Sequence, residues 1–147
     1  TGTTVSHVSD LVPGGVVYAV EVAPRPFERL LRLAQDRTNL VPIMGDAREV
    51  ESYRDLVPKV DLLYQDVAQR NQTDILLRNL SFLRADGLAI LMLKARSVDV
   101  TAAPDTLFRK AHDDLEAAGA RVRRVVALAP YQKDHAALLL PRPGQTR

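Results

Sequence analysis

The sequence predicts an α/β fold with a mostly parallel sheet closed by one antiparallel strand. Three observations carry that prediction. Short β-branched or aliphatic runs alternate with amphipathic helical stretches, the pattern of repeated strand–helix units. The run LAILML at 88–93 is apolar at every position, as expected of a strand buried on both faces. The last two strand-like runs are joined only by Ala129 to Asp134. A parallel crossover needs roughly a dozen residues or more, so this final pair is antiparallel.

Taken in order, Gly2-Thr3-Thr4 opens a short helix from Thr3 to about Val12. VVYAV at 16–20 is a β-branched run followed by Glu21. Pro24 to Arg37 is helical. Phe27, Leu30, Leu31 and Ala34 recur at i, i+3, i+4, i+7, and a proline near the start suits a first turn. LVPIM at 40–44 is a second strand, which Pro42 places nearer the sheet edge, and Gly45-Asp46 ends it. VDLLY at 60–64 is a third strand, ending at Gln65-Asp66. Asn71 to Leu83 reads as a helix with Ile75, Leu76, Leu80 and Leu83 inward, and the strand Leu88 to Leu93 ends at Lys94. Pro104 to Ala118 is a helix with Leu107, Phe108, Ala111, Leu115 and Ala118 on one face, stopped by Gly119. Val122 to Leu128 is a strand. Ala136 to Leu140 is the last, preceded by His135, and a polar tail follows from Pro141 to Arg147.

Composition narrows the function classes. A chain of 147 residues suffices for one domain with a real core. Its 46% apolar and 26% charged residues are those of a globular chain, not a disordered one. No apolar run reaches transmembrane length, and the sequence does not open like a signal peptide. The absence of cysteine excludes disulfides and thiolate metal sites, and three scattered histidines argue against a zinc site. A net charge of +2 is a mild basic bias, short of a surface coated in phosphate contacts.

In open α/β sheets, ligands bind beyond the carboxyl ends of the parallel strands. Each such end here hands over to an ionisable residue: Glu21, Asp46, Asp66 and Lys94. An antiparallel strand presents its beginning to the same rim, and there stands His135. Any one of these suits an ordinary polar turn; five together point to a site. A glycine-led helix start at Gly2-Thr3-Thr4 offers free N–H groups to an anion. Glu21 after the next strand suits a ribose diol. NAD and S-adenosylmethionine both fit these features. Asp46, placed to accept from an adenine amino group, and the antiparallel strand favour the methionine cofactor.

The segments GTTVSHVSDLV at 2–12, VYAVEV at 17–22, DAR at 46–48, VDLLYQDVAQ at 60–69, KARSVDVT at 94–101 and PYQKDHA at 130–136 resemble the fibrillarin family. Its members are the methyltransferase subunits of box C/D ribonucleoproteins. The resemblance runs from residue 2 to about residue 140. It implies a Rossmann-like fold that binds S-adenosylmethionine and methylates the ribose 2′-hydroxyl of ribosomal and transfer RNA. The family's cofactor contacts carry over onto Thr3, Thr4, Glu21, Val22, Asp46, Ala47, Asp66, Val67, Ala68 and Gln69. Its catalytic lysine, aspartate, lysine and histidine carry over, for the last three, onto Asp66, Lys94 and His135. Val22 departs from the family, which has an aromatic residue there. The resemblance also implies partners: a box C/D guide RNA with its target RNA, a Nop-domain scaffold protein and a kink-turn-binding ribosomal-type protein. It implies a cytoplasmic location for an archaeal-like member and a nucleolar one for a eukaryotic member. No membrane partner is expected.

On this reading Lys94 orients or deprotonates the 2′-hydroxyl, Asp66 holds Lys94 and helps place the methyl donor, and His135 orients the ribose or relays a proton. Arg96 and Ser97 lie well for RNA, and Arg121, Arg123 and Arg124 form a second basic cluster, equally suited to a solvated strand edge. His7 and His112 lack such context. The competing readings are a small-molecule or protein methyltransferase on the same fold, a non-catalytic assembly subunit, and an NAD-dependent oxidoreductase. The resemblance further leads us to expect a catalytic domain over 1–140 that lacks its first strand, a small N-terminal domain and the first catalytic lysine. A chain so truncated is expected to be poorly stable and inactive.

Overall fold

A computed structural model describes residues 2–141, so the polar tail expected beyond Pro141 lies outside the described residues. The chain divides into two compact units, one up to Pro58 and one from Lys59. The first contains α1 (Gly2–Leu11), β1 (Val17–Glu21), α2 (Pro24–Gln35) and β2 (Leu40–Met44), followed by two 3-10 turns, Val50–Ser52 and Arg54–Leu56. β1 and β2 pair in parallel, with Val17 opposite Leu40 and Glu21 opposite Met44. Among the described residues β2 pairs on one side only, the edge position that Pro42 predicts. A small core of Ala19, Leu30 and Leu40 is backed by Val5, Val17, Leu33 and Ala34. Leu31, expected on the inward stripe of α2, is instead 47% exposed. The helix turns its Leu30–Leu33–Ala34 side to the sheet.

One polar clip closes this unit. The Asn39 amide donates to the carbonyls of Ser9 (2.9 Å) and Val12 (3.0 Å) and accepts from the Ser9 hydroxyl at 2.6 Å. The Asn39 carbonyl then accepts from Val17 N–H, so one residue caps the end of α1 and starts the β1–β2 ladder.

The second unit contains β3 (Val60–Gln65), α3 (Gln72–Asn79), a 3-10 turn at Leu80–Phe82, β4 (Leu83–Lys94), the one-turn α4 (Ala95–Val98), α5 (Pro104–Ala117), β5 (Arg124–Ala127) and β6 (His135–Pro141). The strand order is β3-β4-β6-β5, with β3 and β4 parallel and β6 antiparallel to both of its neighbours. The antiparallel strand therefore lies inside this sheet, and β5 forms its margin. Alternate residues of β4 and β6, including Ala89, Leu91, Leu93, Leu138 and Leu140, are buried in one cluster with Leu76 of α3 and Leu107, Phe108, Ala111 and Leu115 of α5.

Most boundaries fall within two residues of expectation, β5 for instance being Arg124–Ala127 rather than Val122–Leu128, but two differ by more. The helix expected to reach Leu83 ends at Asn79, and the strand expected at Leu88 begins at Leu83. The β3–β4 register jumps between Val60, opposite Leu83, and Leu62, opposite Leu88. Gly87 permits this irregularity, because a Cβ there would stand 2.7 Å from the buried Leu83 side chain and 3.0 Å from the Asp61 carbonyl. Helix α5 ends in a Schellman turn, with Ala120 N–H on the Leu115 carbonyl (2.9 Å) and Gly119 at φ +80°. That turn leaves Ala118 exposed rather than on the buried face. No helix among the described residues is long and apolar enough to cross a membrane.

Candidate active site

In the first unit the parallel register of β1 and β2 brings their carboxyl ends side by side, so Glu21-Val22 and Asp46-Ala47 emerge at one edge. The Glu21 carboxylate accepts from Ala23 N–H at 2.9 Å through Oε1, which leaves Oε2 for another donor. Val22 is 52% exposed beside it, an apolar surface next to an acid. Asp46 is gripped by Arg48, whose backbone N–H (2.9 Å), Nε (3.0 Å) and Nη2 (2.5 Å) all donate to the carboxylate. The Arg48 side-chain hydrogen bonds, then its backbone N–H, hold the Asp46 carboxyl below the usual carboxylate range. Gly45 lets Tyr53 approach closely, since a Cβ would stand 3.3 Å from the ring. The buried Tyr53 donates its hydroxyl to the Ala47 carbonyl at 3.4 Å. Arg48 and Tyr53 thus shape the Asp46-Ala47 turn. Sequence reasoning missed Tyr53, and only its neighbour Gly45 hinted at it. Thr3 and Thr4 lie in the first turn of α1, where the leading N–H groups of the helix lack intrahelical acceptors.

In the second unit Asp66 directly follows β3, Lys94 ends β4 and His135 begins β6. Lys94 and His135 are register partners across β4–β6. Ala95 N–H donates to the Asp134 carbonyl (2.9 Å) and Leu128 N–H to the His135 carbonyl (2.9 Å). These bonds make Lys94 and His135 a non-hydrogen-bonded pair, the closer of the two antiparallel types, with both side chains on the same face. His135 Nδ1 lies 2.8 Å from the Lys133 carbonyl. A carbonyl only accepts, so Nδ1 carries the proton and Nε2 is the nitrogen with a lone pair to offer. Asp66 is exposed, and among the described residues no ion pair joins it to Lys94. The Tyr64 hydroxyl is pushed up by burial and, secondarily, by the negative charge of Asp66. Val67 is half-buried, and Ala68 and Gln69 are exposed in the loop that continues from Asp66.

The loop before His135 is tied down. Asp134 adopts φ 62°, a conformation that aspartate tolerates better than most residues. Its carboxylate accepts from Arg96 Nε at 2.7 Å. Arg96, expected to face RNA, therefore spends its Nε on holding the histidine loop to α4. Asp99 accepts from both the N–H and the hydroxyl of Thr101 at 2.7 Å, which lowers its pKa and explains the DVT spacing as a local turn. A cleft of about 310 Å³ beside His135 is lined by Pro104, Asp105 and Phe108 of α5 and by Ala127, Lys133 and Asp134. Arg121, Arg123 and Arg124 are exposed on and before the marginal strand β5. No cluster of metal-binding side chains occurs among the described residues.

Comparison with known proteins adds the context. The family model described as Fibrillarin matches residues 1–142. A fibrillarin-like rRNA/tRNA 2′-O-methyltransferase of Methanothrix thermoacetophila is 48% identical over 139 residues, covering 94% of this chain and 64% of that protein. The fold matches a solved fibrillarin/Nop5p complex with a TM-score of 0.90 at 42% identity, covering 96% of this chain and 68% of the other. It also matches Aeropyrum pernix fibrillarin with natively bound S-adenosyl-L-methionine, with a TM-score of 0.83 at 45% identity, covering 95% and 61%. The chain spans less than two thirds of the length of the curated relatives it matches. The expected Rossmann-like methyltransferase fold is the one observed. With the matched model spanning nearly every residue, the chain belongs to the fibrillarin family.

Proposed function

We propose that this chain is the catalytic part of an S-adenosylmethionine-dependent RNA ribose 2′-O-methyltransferase that works within a box C/D guide ribonucleoprotein. The carrying observation is the cross-strand pair of Lys94 and His135 at the carboxyl end of β4, in a chain of this family. The donor chemistry of the first unit fits the cofactor. Glu21 has a free carboxylate oxygen for ribose hydroxyls, Asp46 stays ionised to accept an amino group, and Val22 offers an exposed apolar surface. Thr3 and Thr4, Ala47, and the run Asp66-Val67-Ala68-Gln69 complete the proposed cofactor contacts. When bound, S-adenosylmethionine supplies an electrophilic methyl group on a sulfonium.

A sugar hydroxyl is a weak nucleophile at neutral pH and must shed its proton as it attacks. His135 Nε2, the nitrogen left with a lone pair, is the proposed acceptor or relay for that proton. The Lys94 ammonium orients the hydroxyl and stabilises the developing alkoxide. Asp66 helps place the methyl donor. Most of the acceleration comes from holding hydroxyl and methyl in line. The proposed partners are a guide RNA with its ribosomal or transfer RNA target, a Nop-domain scaffold and a kink-turn-binding protein. The family resemblance supports them, and the Nop5p-bound relative supports the scaffold.

The test is Lys94→Ala in the full-length protein, assembled with scaffold and guide RNA. Methyl incorporation into guided RNA is expected to be lost while cofactor binding measured by calorimetry persists. Near-normal incorporation would remove Lys94 from the mechanism. A wild-type complex that assembles but never methylates would favour a purely structural subunit.

A further inference from the structure

We propose that Gln72 is a positioning residue for methyl transfer, locking the backbone of Lys94 to the cofactor loop at Gln69. The inference rests on the function proposed above. Gln72 is the first residue of α3 and is 1% exposed, a rare place for a polar side chain. Its amide makes three hydrogen bonds. Nε2 donates to the carbonyls of Gln69 (2.8 Å) and Lys94 (3.1 Å), and Oε1 accepts from Lys94 N–H at 3.1 Å. Two carbonyls on one side and an N–H on the other fix which end of the amide is which. The Gln72 backbone is held in turn, because Gln65, also buried, donates its side-chain N–H to the Gln72 carbonyl at 2.7 Å.

The topology explains why an amide is needed there. β3 pairs with β4 only as far as Gln65, opposite Leu91. β4 continues three residues further to Lys94, with no strand alongside on that edge among the described residues. The Lys94 N–H and carbonyl turn toward that gap, as its non-hydrogen-bonded pairing with His135 requires. The Gln72 side chain occupies the place of a peptide group from the missing strand neighbour. It satisfies both Lys94 groups and, with its second N–H, takes hold of the loop that carries Asp66 to Gln69. The lysine and the proposed cofactor loop are thereby one rigid piece.

The test uses the full-length protein in its assembled guide complex, with Gln72→Met, which keeps the shape and loses all three bonds. Gln72→Glu is the second variant, keeping the acceptor for Lys94 N–H and losing the two donors. Both are assayed well below their melting temperatures, and rates are normalised to folded protein. Maximal turnover is expected to fall by about tenfold to a hundredfold, while KM for the RNA stays within about twofold of wild type. A merely structural role would lower the melting temperature and leave turnover per folded molecule intact. Wild-type turnover in either folded variant overturns the inference, and Gln72→Glu decides it if Gln72→Met does not fold. An inactive wild-type complex would instead overturn the functional reading on which it rests.

Discussion

At the scale of single residues, Asp46 shows how a neighbour sets the state of a proposed binding group. Arg48 surrounds its carboxylate with three donors, and its folded pKa lies below the ordinary 3.8. A lowered pKa stabilises the fold wherever the group is ionised. That contribution is fully present above about 3.8, the unfolded value, and fades as pH falls through the lowered folded value. Arg48→Ala returns Asp46 toward its ordinary value. Thermal melts of wild type and variant should therefore differ at neutral pH and converge in the acid range below 3.8. A gap that persists unchanged through that range would show that Arg48 acts by packing rather than by charge. Asp46 could be read as a candidate site residue from its place after a strand. Arg48 was not, because nothing in DAR says that the arginine folds back on the acid. The same limit hid Gln72. A glutamine at a helix start reads as solvated, and its burial follows only from β3 ending short of β4.

At the scale of elements, most strands and helices were readable because each alternates or repeats its apolar residues cleanly. The exception lies between Asn79 and Leu88. Leu80, Phe82 and Leu83 continue the apolar run of α3, so periodicity extends the helix through a 3-10 turn and into a strand. Arg84, Ala85 and Asp86 are exposed and look like a loop, although they belong to β4. What holds this irregular start is Gly87, pressed between the Leu83 side chain and the Asp61 carbonyl. Gly87→Ala would force the Leu83 side chain from a fully buried position. It is expected to cost about 1–3 kcal/mol, the range for overpacking a core site. Denaturant unfolding checks this, and a variant within about 0.5 kcal/mol of wild type would show that Leu83 has room to move.

At the scale of the whole molecule, the two units have unequal means of holding their backbones closed. In the second, β4 and β6 are inner strands, hydrogen-bonded on both edges, and their inward residues Leu91, Leu93, Leu138 and Leu140 are essentially fully buried. In the first, the buried apolar side chains are fewer, a small cluster around Leu30 together with Ile43, Val50 and Tyr53, and β2 pairs on one side only among the described residues. Val41 and Met44 of that strand are exposed, and Pro42 contributes no N–H to the ladder. Amide exchange follows the free energy of the opening that exposes each bond, and openings are cheapest where few buried apolar groups must part. Native-state hydrogen exchange should therefore find the slowest amides in β4 and β6 and markedly faster ones in β2. The Lys94 and His135 positions lie at the ends of those slow strands. On that expectation the proposed proton-handling pair stands at the ends of the slowly exchanging strands, whereas the proposed adenine contacts at Asp46 and Ala47 follow the faster one. Equal protection of β2 and β6 would contradict this division and would imply that both units open only by global unfolding.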